Sequence, residues 1–564
     1  MTPAVSRATS SFEVRPPHET LVAAFESAGR SGAPFVTFHL GKDPVEKTAA
    51  DALESALVWA KLLTSRGVVK GDRVLILMPT GHAFVEALLG TMMMGAIPVP
   101  LATPMTFGSV DRYLKNLGAI ADNCAARATI AYARIRDAVA KDPSLGVGLG
   151  ELVGEPDLDG VRSTTIRLPS VGGSDTAFLQ YTSGTTGRPK GATISHKAIV
   201  SNAFSIWHGL GLSSSSVGVS WLPLFHDMGL IGVLLTSICH PYPVHITSPE
   251  SFIMKPRRWI ELIARVGGTL SAAPNFAYDM CVARAKDTDG LRLDTWREAL
   301  NGAEPVHPTT IERFHERFAS NGLRADVAMP VYGMAEATLA VAFPSLDNKL
   351  QMLAIDRSAL EKDGKALPKA DGHRAVSVGG PVAGMRFEIV GEDGRAVAEG
   401  TVGEIRVGGP SLMDGYFHND EASAEVLTGG LLRTGDLGFM DGGRLFITGR
   451  AKELIIKGGK NLYPYDVERV AGEVTGVRSG GVAAFGRHNP ETGTEDLVLV
   501  AETAQSNETE REAIAKAVRA ELLEVLGIKP DEIRFCGVGR VPRTTSGKIK
   551  RRDCARLLAE GELG

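Results

Sequence analysis

The chain has 564 residues, too many for a single hydrophobic core, so two or more domains are expected. Hydrophobic residues make up 44% of it and charged residues 22%, which excludes a disordered chain and is ordinary for a globular protein. Lysine and arginine number 61 against 65 acidic residues, and the formal net charge of −4 gives no reason to expect a nucleic-acid or anionic-membrane partner. The five cysteines are scattered, so neither a disulfide framework nor a zinc site is predicted, and we expect a cytoplasmic protein.

Helical patterns alternate with short apolar runs over the first 170 residues. Four consecutive elements are predicted here: a helix over 53–65, a buried strand over 72–79, a helix over 83–94 and a buried strand over 95–101. Strands and helices in this order favour a parallel α/β layer.

Two stretches of this region invite other interpretations. Residues 74–101 are strongly apolar, but Pro79, Gly81 and Glu86 interrupt them, so no integral membrane segment is predicted. The glycine-rich run at residues 146–154 lacks the spacing of a dinucleotide-binding motif and is predicted to be a loop.

The α/β alternation continues to about residue 336 and then changes. Residues 340–378 are weakly patterned, and unstructured segments of that length usually have a function. Turn signals between β-rich runs over 379–449 predict a β-rich subdomain, and a small α/β pattern follows. We therefore predict an α/β protein with a large N-terminal domain, 1–449, of two α/β layers plus the β-rich subdomain, and a small mobile C-terminal domain, 450–564.

The most specific motif is LQYTSGTTGRPKG at residues 179–191. Its glycines permit backbone conformations in which N–H groups converge on an anion, and Lys190 adds a positive charge. Hydroxyl donors come from Thr182, Ser183, Thr185 and Thr186. The loop is predicted to hold a polyphosphate. It is not a Walker A loop, because no Gly-Lys-Ser/Thr closes it, and a plain surface linker is the alternative interpretation of such a composition.

This motif resembles the phosphate-binding signature of the adenylate-forming superfamily, which includes acyl-CoA synthetases, luciferases and peptide-synthetase adenylation domains. Further stretches resemble motifs of that superfamily in the expected order, from about residue 20 to residue 552. The resemblance implies that the chain uses ATP and Mg²⁺ to join a carboxylic acid to AMP.

The resemblance also implies the nucleotide-binding residues. Glu336, in YGMAE, matches the glutamate that binds Mg²⁺, and Tyr332 offers a ring for stacking on adenine. Asp436 matches the aspartate that binds the ribose hydroxyls, and Arg450 an arginine that contacts ribose and phosphate. The other implied ATP- and AMP-binding residues are Thr182, Ser183, Gly184, Thr185, Thr186, Gly187, Asn301, Gly302, Ala303, Glu304, Gly333, Met334 and Ala335. Taken without the family, these short motifs would be common turns or solvated helix residues.

Catalytic residues are implied in the same way. Lys548 matches the C-terminal catalytic lysine, Lys190 is a second cation at the phosphates, and Lys452 matches the hinge of the small domain. Taken alone, the basic run around Lys548 would be a solvated or nucleic-acid-binding surface. His226 and Asp227 are adjacent, and because adjacent side chains of an extended segment point to opposite faces, we expect His226 to border the acid site and orient the substrate.

Four stretches, WLPLFHDMGLIG, SAAPNFAYDMCV, NGAEPV and YGMAEATL, resemble fatty-acyl-AMP ligases more closely than CoA ligases. In that family the segment 271–282 lies along the acyl tunnel, and Met228, Phe276 and Met280 are predicted to form the wall of the acyl pocket. Residues 340–378 match an insertion that in this family hampers the rotation needed for thioester formation with free CoA. The resemblance therefore implies a fatty acid substrate and transfer of the acyl group to the phosphopantetheine thiol of a separate acyl-carrier protein, as on polyketide or peptide synthases.

The nearest alternative is a medium- or long-chain fatty acyl-CoA synthetase with a long loop, which would form acyl-CoA as fast as acyl-AMP. A catalytically inactive nucleotide- or lipid-binding module is a second alternative, and release of pyrophosphate from ATP and a fatty acid would exclude it. A β-lactone-forming enzyme is a third, and would require a β-hydroxy acid.

Overall fold

A computed structural model describes residues 5–104, 110–182, 190–457, 460–490, 494–544 and 547–563. Its layered helices and sheets, with a β-rich subdomain and a smaller C-terminal α/β region, confirm the predicted fold class. Within the described ranges, no helix is both long and apolar enough to cross a membrane.

A seven-stranded sheet carries many of the residues that line the cavity described below. Its strands lie in the order Ala328–Pro330, Glu298–Asn301, Leu270–Ala273, Gly218–Ser220, Val244–Ile246, Pro34–Phe38 and Val45–Thr48. All neighbouring pairs are parallel except the last, which is antiparallel. Because parallel strands end at the same edge, the segments that follow them meet there, where α/β sheets bind their ligands.

A second, parallel sheet contains the strands predicted near the N-terminus. Its order is Ile97–Pro100, Arg73–Leu77, Ala128–Ala131 and Glu151–Val153. The first two strands and the helices Ala49–Ser65 and His82–Met93 confirm the predicted alternation. The last strand corrects the prediction of a loop over 146–154, because Val153 is buried beside the neighbouring strand, which the glycine-rich sequence did not reveal.

Two paired strands contain the two ends of the glycine-rich phosphate motif. The strands Thr176–Thr182 and Lys190–Ser195 pair antiparallel, with Thr182 opposite Lys190. Residues 183–189 between them lie outside the described part of the chain. The predicted phosphate-binding residues Ser183, Gly184, Thr185, Thr186 and Gly187 therefore stay predictions.

The β-rich subdomain is an antiparallel sheet. From edge to edge its strands are Arg7–Thr9, Arg386–Val390, Gly403–Gly408, Leu431–Asp441, Arg444–Arg450, His373–Pro381, Ala340–Phe343 and Tyr332–Gly333, with Met352–Ile355 and Leu427–Thr428 paired at its sides. Asp436 and Arg450 are directly opposite each other in neighbouring strands. The sheet therefore brings two predicted nucleotide-binding residues together.

Residues 340–378, whose sequence is weakly patterned, are regular in the structure. They contain the strand Met352–Ile355, the helix Arg357–Asp363 and the start of the strand His373–Pro381. Ile355 and Leu360 are buried in a cluster with aromatic rings of the β-rich subdomain. Packing across long sequence separations orders the segment, which local periodicity does not show.

The C-terminal region has its own sheet and its own hydrophobic clusters. The strands Val482–Asn489 and Thr494–Glu502 are antiparallel and Glu532–Cys536 runs parallel to the second; Ile455–Lys457 and Lys460–Leu462 form a small hairpin. Its helices are Pro464–Gly472, Glu508–Leu526 and Arg551–Ala559.

The α-helices of the N-terminal region, with one π-helix, follow in chain order. They are Leu21–Ser31, Ala49–Ser65, His82–Met93, Val110–Cys124, Ala133–Lys141, His196–Gly209, Asp227–Gly229, the π-helix Leu230–Leu235, Thr236–Cys239, Pro249–Met254, Arg257–Val266, Asn275–Arg284, Pro308–Phe318, Arg357–Asp363 and Asp420–Val426. Two reciprocal hydrogen bonds stabilise the start of the helix Ala49–Ser65. Thr48 Oγ1 accepts a hydrogen bond from Asp51 N at 3.2 Å, and the Asp51 carboxylate accepts one from Thr48 N at 2.9 Å. This capping box satisfies N–H groups that a helix start leaves free.

Candidate active site

A cavity of about 1070 Å³ lies between the seven-stranded sheet, the β-rich subdomain and the C-terminal region. Among the residues that line its polar end are Thr182, Lys190, His226, Asp227, Ala303, Glu304, Tyr332, Gly333, Met334, Ala335, Glu336, Tyr416, Asp436, Arg450, Lys452 and Lys548. The cavity thus gathers most of the residues predicted from the sequence motifs.

Glu336 is presented to the cavity by a tight turn. Gly333 is required just before it, because a side chain there would place Cβ 2.0 Å from the Leu339 carbonyl oxygen. Thr338 has a φ of 64°, a strained conformation for a β-branched residue, and its hydroxyl donates to Ser411 O at 2.6 Å. Strained backbone of this kind is concentrated at functional sites.

Asp436 is held from both sides. The Tyr332 hydroxyl donates to Asp436 Oδ2 at 2.7 Å, and Arg450 Nε lies 2.8 Å from Oδ1. Burial, reinforced by the Asp436 carboxylate, raises the pKa of Tyr332 well above its ordinary value, so its hydroxyl remains a donor. A carboxylate offers about four acceptor positions, which leaves Asp436 able to accept ribose hydroxyls.

Lys548 is half-buried and lines the polar end of the cavity. Burial lowers the pKa of Lys548, and the neighbouring Arg450 guanidinium lowers it further. The carboxylates of Asp227, Glu304 and Asp436 oppose that shift. Lys548 comes from the C-terminal region and these carboxylates from the N-terminal one, so the structure holds the two regions closed over the cavity.

Glu304 links this lysine to the helix Asn275–Arg284. Its carboxylate accepts hydrogen bonds from the first two backbone N–H groups of that helix, and burial raises the pKa of Glu304. The C-terminal region docks beside it: Gly547, at φ 89°, is so close to Phe276 that an added Cβ would lie 2.8 Å from the ring. Glycine is therefore needed immediately before Lys548.

The structure corrects the expectation for His226 and Asp227. Their side chains do not diverge; His226 Nδ1 lies 2.6 Å from Asp227 Oδ1. The reason is that Asp227 begins the short helix Asp227–Gly229, so the pair spans a turn and not an extended segment. Both residues line the cavity, as does Met228.

The implied nucleotide-binding residues 301–304 lie only partly at the cavity. Ala303 and Glu304 line the cavity, whereas Asn301 and Gly302 do not. Asn301 is 3% exposed, and its side-chain amide donates to Asn275 Oδ1 at 3.0 Å. It lies at the end of its strand and donates to the first residue of the helix Asn275–Arg284, so this placement gives no support for a contact of its side chain with the nucleotide.

The predicted acyl wall is also placed only in part. Met228 lines the cavity, but Phe276 and Met280 do not. Both pack against a neighbouring cluster, in which the Phe276 ring lies 6.1 Å from that of Trp221. The helix Asn275–Arg284 turns these two side chains away from the cavity, and a sequence stretch does not reveal which helical face points inward.

An apolar arm of the cavity runs elsewhere. It is lined by Ile206, Leu210, Gly218, Val219, Gly232, Val233, Tyr242, Leu270, Ala272, Leu300, Leu339, Phe343 and Val378. Gly218 and Leu270 are the first residues of their strands, so the arm reaches from the carboxyl edge of the sheet to its amino edge. Gly232 and Val233 lie on the π-helix, an irregular element that occurs frequently at functional sites.

Lys452, the predicted hinge, lies on the short turn Ala451–Glu453 directly after the strand Arg444–Arg450. Beyond it the chain enters the C-terminal region. Arg551 anchors that region locally, because its guanidinium pairs with Glu453 and with Glu468. A hinge role for Lys452 fits this position and stays a prediction.

Sequence reasoning missed Tyr416. Its hydroxyl donates to Glu336 Oε1 at 3.0 Å, and Lys190 Nζ lies 4.9 Å from its ring centroid. A tyrosine after Asp-Gly is a common turn sequence, and its partners are far away in the chain, so no local signal identifies it.

The donor set fits the expected metal. Glu336 provides a carboxylate in the cavity, which Lys190 also lines. Magnesium is bound in such sites by one or two carboxylates together with phosphate oxygens of the nucleotide.

Comparisons with known proteins show the family to which the chain belongs. The family model described as AMP-binding enzyme matches residues 25–417. The medium-chain-fatty-acid acyl-carrier-protein ligase JamA of Moorena producens is 33% identical over 519 residues, with 88% of this chain and 87% of that protein covered. A Caulobacter vibrioides protein, provisionally named an acyl-CoA synthetase, is 32% identical over 574 residues, with 100% of this chain and 99% of that protein covered.

A solved structure gives the same relationship. It comes from a study of fatty acyl-adenylate ligases from E. coli and L. pneumophila, and it matches with a TM-score of 0.89 at 33% identity. The match covers 97% of this chain and 98% of the other. The chain belongs to the AMP-binding enzyme family.

Proposed function

We propose that this chain is a fatty-acyl-AMP ligase. It joins a fatty acid to AMP with release of pyrophosphate, and it passes the acyl group to the phosphopantetheine thiol of a separate acyl-carrier protein. The similarity to a carrier-protein ligase and to fatty acyl-adenylate ligases supports this branch.

The observation that carries the proposal is the continuity of the cavity. Its polar end contains Glu336, Asp436 and Lys548, and its apolar arm extends to Leu210 and Tyr242. An apolar chain in the arm would leave its carboxylate at the junction with the polar end. Burial of such a chain contributes about 0.8 kcal/mol per CH₂, so the arm selects fatty acids over short acids.

The reaction needs no general base, because the substrate carboxylate is itself the nucleophile. Its oxygen forms the new bond to the α-phosphorus, and the bond from that phosphorus to pyrophosphate breaks. Lys548 and Arg450 stabilise the charge that develops at the α-phosphate, and Lys190 holds the leaving phosphates. Asp436 orients the ribose, and His226 borders the substrate carboxylate.

Magnesium, when bound, neutralises phosphate charge, and Glu336 is the residue that would hold it. Glycines and hydroxyls of the phosphate loop, 183–187, complete the proposed triphosphate site.

The C-terminal region carries Lys548 into the cavity and must move for the second half-reaction. We infer that residues 450–564 rotate about Lys452 after adenylation, to admit the carrier thiol.

All five cysteines are free and buried, which suits a reducing cytoplasm.

The proposal is tested by narrowing the apolar arm. Ala272 lines it, so Ala272→Trp is expected to reduce dodecanoate-dependent pyrophosphate release at least 10-fold and to reduce release with hexanoate much less. Ala319→Trp, at an exposed position, is the control. Equal losses with both acids would contradict the assignment of the arm, and no pyrophosphate release from the wild type with any fatty acid would contradict the function.

A further inference from the structure

A short segment, residues 411–417, forms hydrogen bonds with two different elements at the polar end of the cavity. Met413 N donates to Glu336 O at 2.9 Å. Asp414 N donates to Thr193 O at 2.9 Å, on the strand that follows the phosphate loop. The backbone of this segment therefore joins the turn that carries the predicted metal ligand to the strand that begins with the phosphate-binding lysine.

Tyr416 repeats this connection with its side chain. Its hydroxyl donates to Glu336 Oε1 at 3.0 Å, and its ring faces Lys190 Nζ at 4.9 Å from the centroid. The side chain is fixed, since Tyr416 is 8% exposed and its backbone N–H donates to Ser423 Oγ at 2.8 Å. One buried tyrosine thus contacts both charged side chains that the proposed function places at the metal and the phosphates.

The chemistry of these contacts suits preorganisation. The Tyr416 hydroxyl is the donor and the Glu336 carboxylate the acceptor of their hydrogen bond. One accepted hydrogen bond leaves the carboxylate with further acceptor positions for a cation. The ring attracts the Lys190 ammonium by a cation–π interaction without neutralising its charge. Side chains whose rotamers are already fixed by folding lose no further conformational entropy when a ligand binds.

We propose that Tyr416 is a positioning residue that holds Glu336 and Lys190 in place for a magnesium-bound triphosphate before it arrives. The inference rests on the proposed function, because only that function assigns a metal to Glu336. It goes further by giving the hydroxyl and the ring of Tyr416 separate tasks.

The test is equilibrium dialysis of labelled ATP without fatty acid, once with Mg²⁺ and once with EDTA. The ratio of the two dissociation constants measures how strongly the protein couples metal to nucleotide. Tyr416→Phe removes only the hydroxyl, and we expect it to reduce this ratio about 10-fold while leaving the affinity for metal-free ATP unchanged. Tyr416→Leu also removes the ring, and we expect it to weaken metal-free ATP binding as well, about 3- to 10-fold.

Two controls separate positioning from folding. Tyr113→Phe removes another phenol hydrogen bond, to Ala102 O, and is expected to leave both dissociation constants unchanged. Glu336→Gln combined with Tyr416→Phe should lower the ratio no further than Glu336→Gln alone, because the hydroxyl acts through that carboxylate.

Several outcomes would overturn the inference. One is a ratio of dissociation constants in Tyr416→Phe equal to that of the wild type, and another is an equal loss of ATP affinity with and without Mg²⁺ in that variant. A third is a double variant in which the effects of the two substitutions on the ratio add. The last is a wild-type protein that binds ATP equally well with and without Mg²⁺. Because no fatty acid is present, these results are independent of the proposed acyl specificity, which pyrophosphate release with fatty acids tests separately.

Discussion

Arg357 and Asp466 join the segment 340–378 to the C-terminal region: Arg357 Nη2 donates to Asp466 Oδ2 at 2.9 Å. The same guanidinium pairs with Glu361 at 2.7 Å. The side chains of Arg357 and Asp466 are 18% and 15% exposed, so solvent screens their attraction only weakly. The segment that the family resemblance identifies as an insertion therefore contacts the region that we infer to rotate.

Loosening this ion pair should favour thioester formation with free CoA. The double change Arg357→Gln and Asp466→Asn removes both charges, and we expect the ratio of acyl-CoA to acyl-AMP to rise about 10-fold, which corresponds to about 1.4 kcal/mol. Product ratios measured by mass spectrometry with ATP, dodecanoate and CoA check this. Lys369→Gln, which loses a pair with Asp356 inside the same segment, should behave like wild type. An unchanged ratio in a folded double variant would show that the pair does not restrain the C-terminal region.

Lys548 should matter for the first half-reaction and not for the second. Lys548→Ala is expected to slow adenylation about 100- to 1000-fold, because one preorganised cation at the developing charge is lost. Transfer from preformed acyl-AMP to a carrier thiol should change only a few-fold. Single-turnover kinetics of each half-reaction separate the two, and Lys529→Ala, an exposed position in the same region, is the control. Undiminished adenylation would exclude the assigned role.

Gly547 tests the docking that brings this lysine into the cavity. Gly547→Ala adds a Cβ 2.8 Å from the Phe276 ring at a φ of 89°, so we expect adenylation to fall about 10-fold. Gly539→Ala is a matched control, since it has a φ of 84° but no atom within 4 Å of the added Cβ. Both variants should lose similar stability from backbone strain, and only the first should lose activity. Equal activities would mean that the closed arrangement does not limit adenylation.

Acid should destabilise the fold through a half-buried histidine, His307. Burial lowers the pKa of His307 from 6.5 to about 4. As the pH falls, the histidine is therefore protonated in the unfolded chain before it is protonated in the folded one. The contribution of neutral His307 to the free energy of unfolding is full above pH 6.5 and is lost as the pH falls to about 4. The loss amounts to about 3 kcal/mol at the acid end of that range.

Urea unfolding at a series of pH values measures this effect. His307→Asn should flatten the decline in unfolding free energy between pH 6.5 and 4, whereas His488→Gln, at an exposed position, should not. A variant as acid-sensitive as the wild type would assign the decline to other groups.

The sequence predicts elements whose signal is local. The strands Arg73–Leu77 and Ile97–Pro100 are short apolar runs, and the structure confirms both. Likewise the motifs around Glu336 and Asp436 are short contiguous stretches of sequence, and the structure brings these two residues into one cavity.

What the sequence does not predict depends on distant partners. Tyr416 contacts Glu336 across 80 positions, and no periodicity encodes that. The inward face of the helix Asn275–Arg284 depends on its neighbours, so its sequence does not show that Phe276 and Met280 pack against a cluster beside the cavity.

Product analysis by mass spectrometry tests the central claim most directly. The purified protein is mixed with MgATP and dodecanoate, alone, with CoA, or with an acyl-carrier protein that bears phosphopantetheine. The account predicts acyl-AMP in the first two mixtures, little acyl-CoA, and an acylated carrier in the third. Efficient acyl-CoA formation would contradict it and would identify the chain as a fatty acyl-CoA synthetase with the same adenylation site.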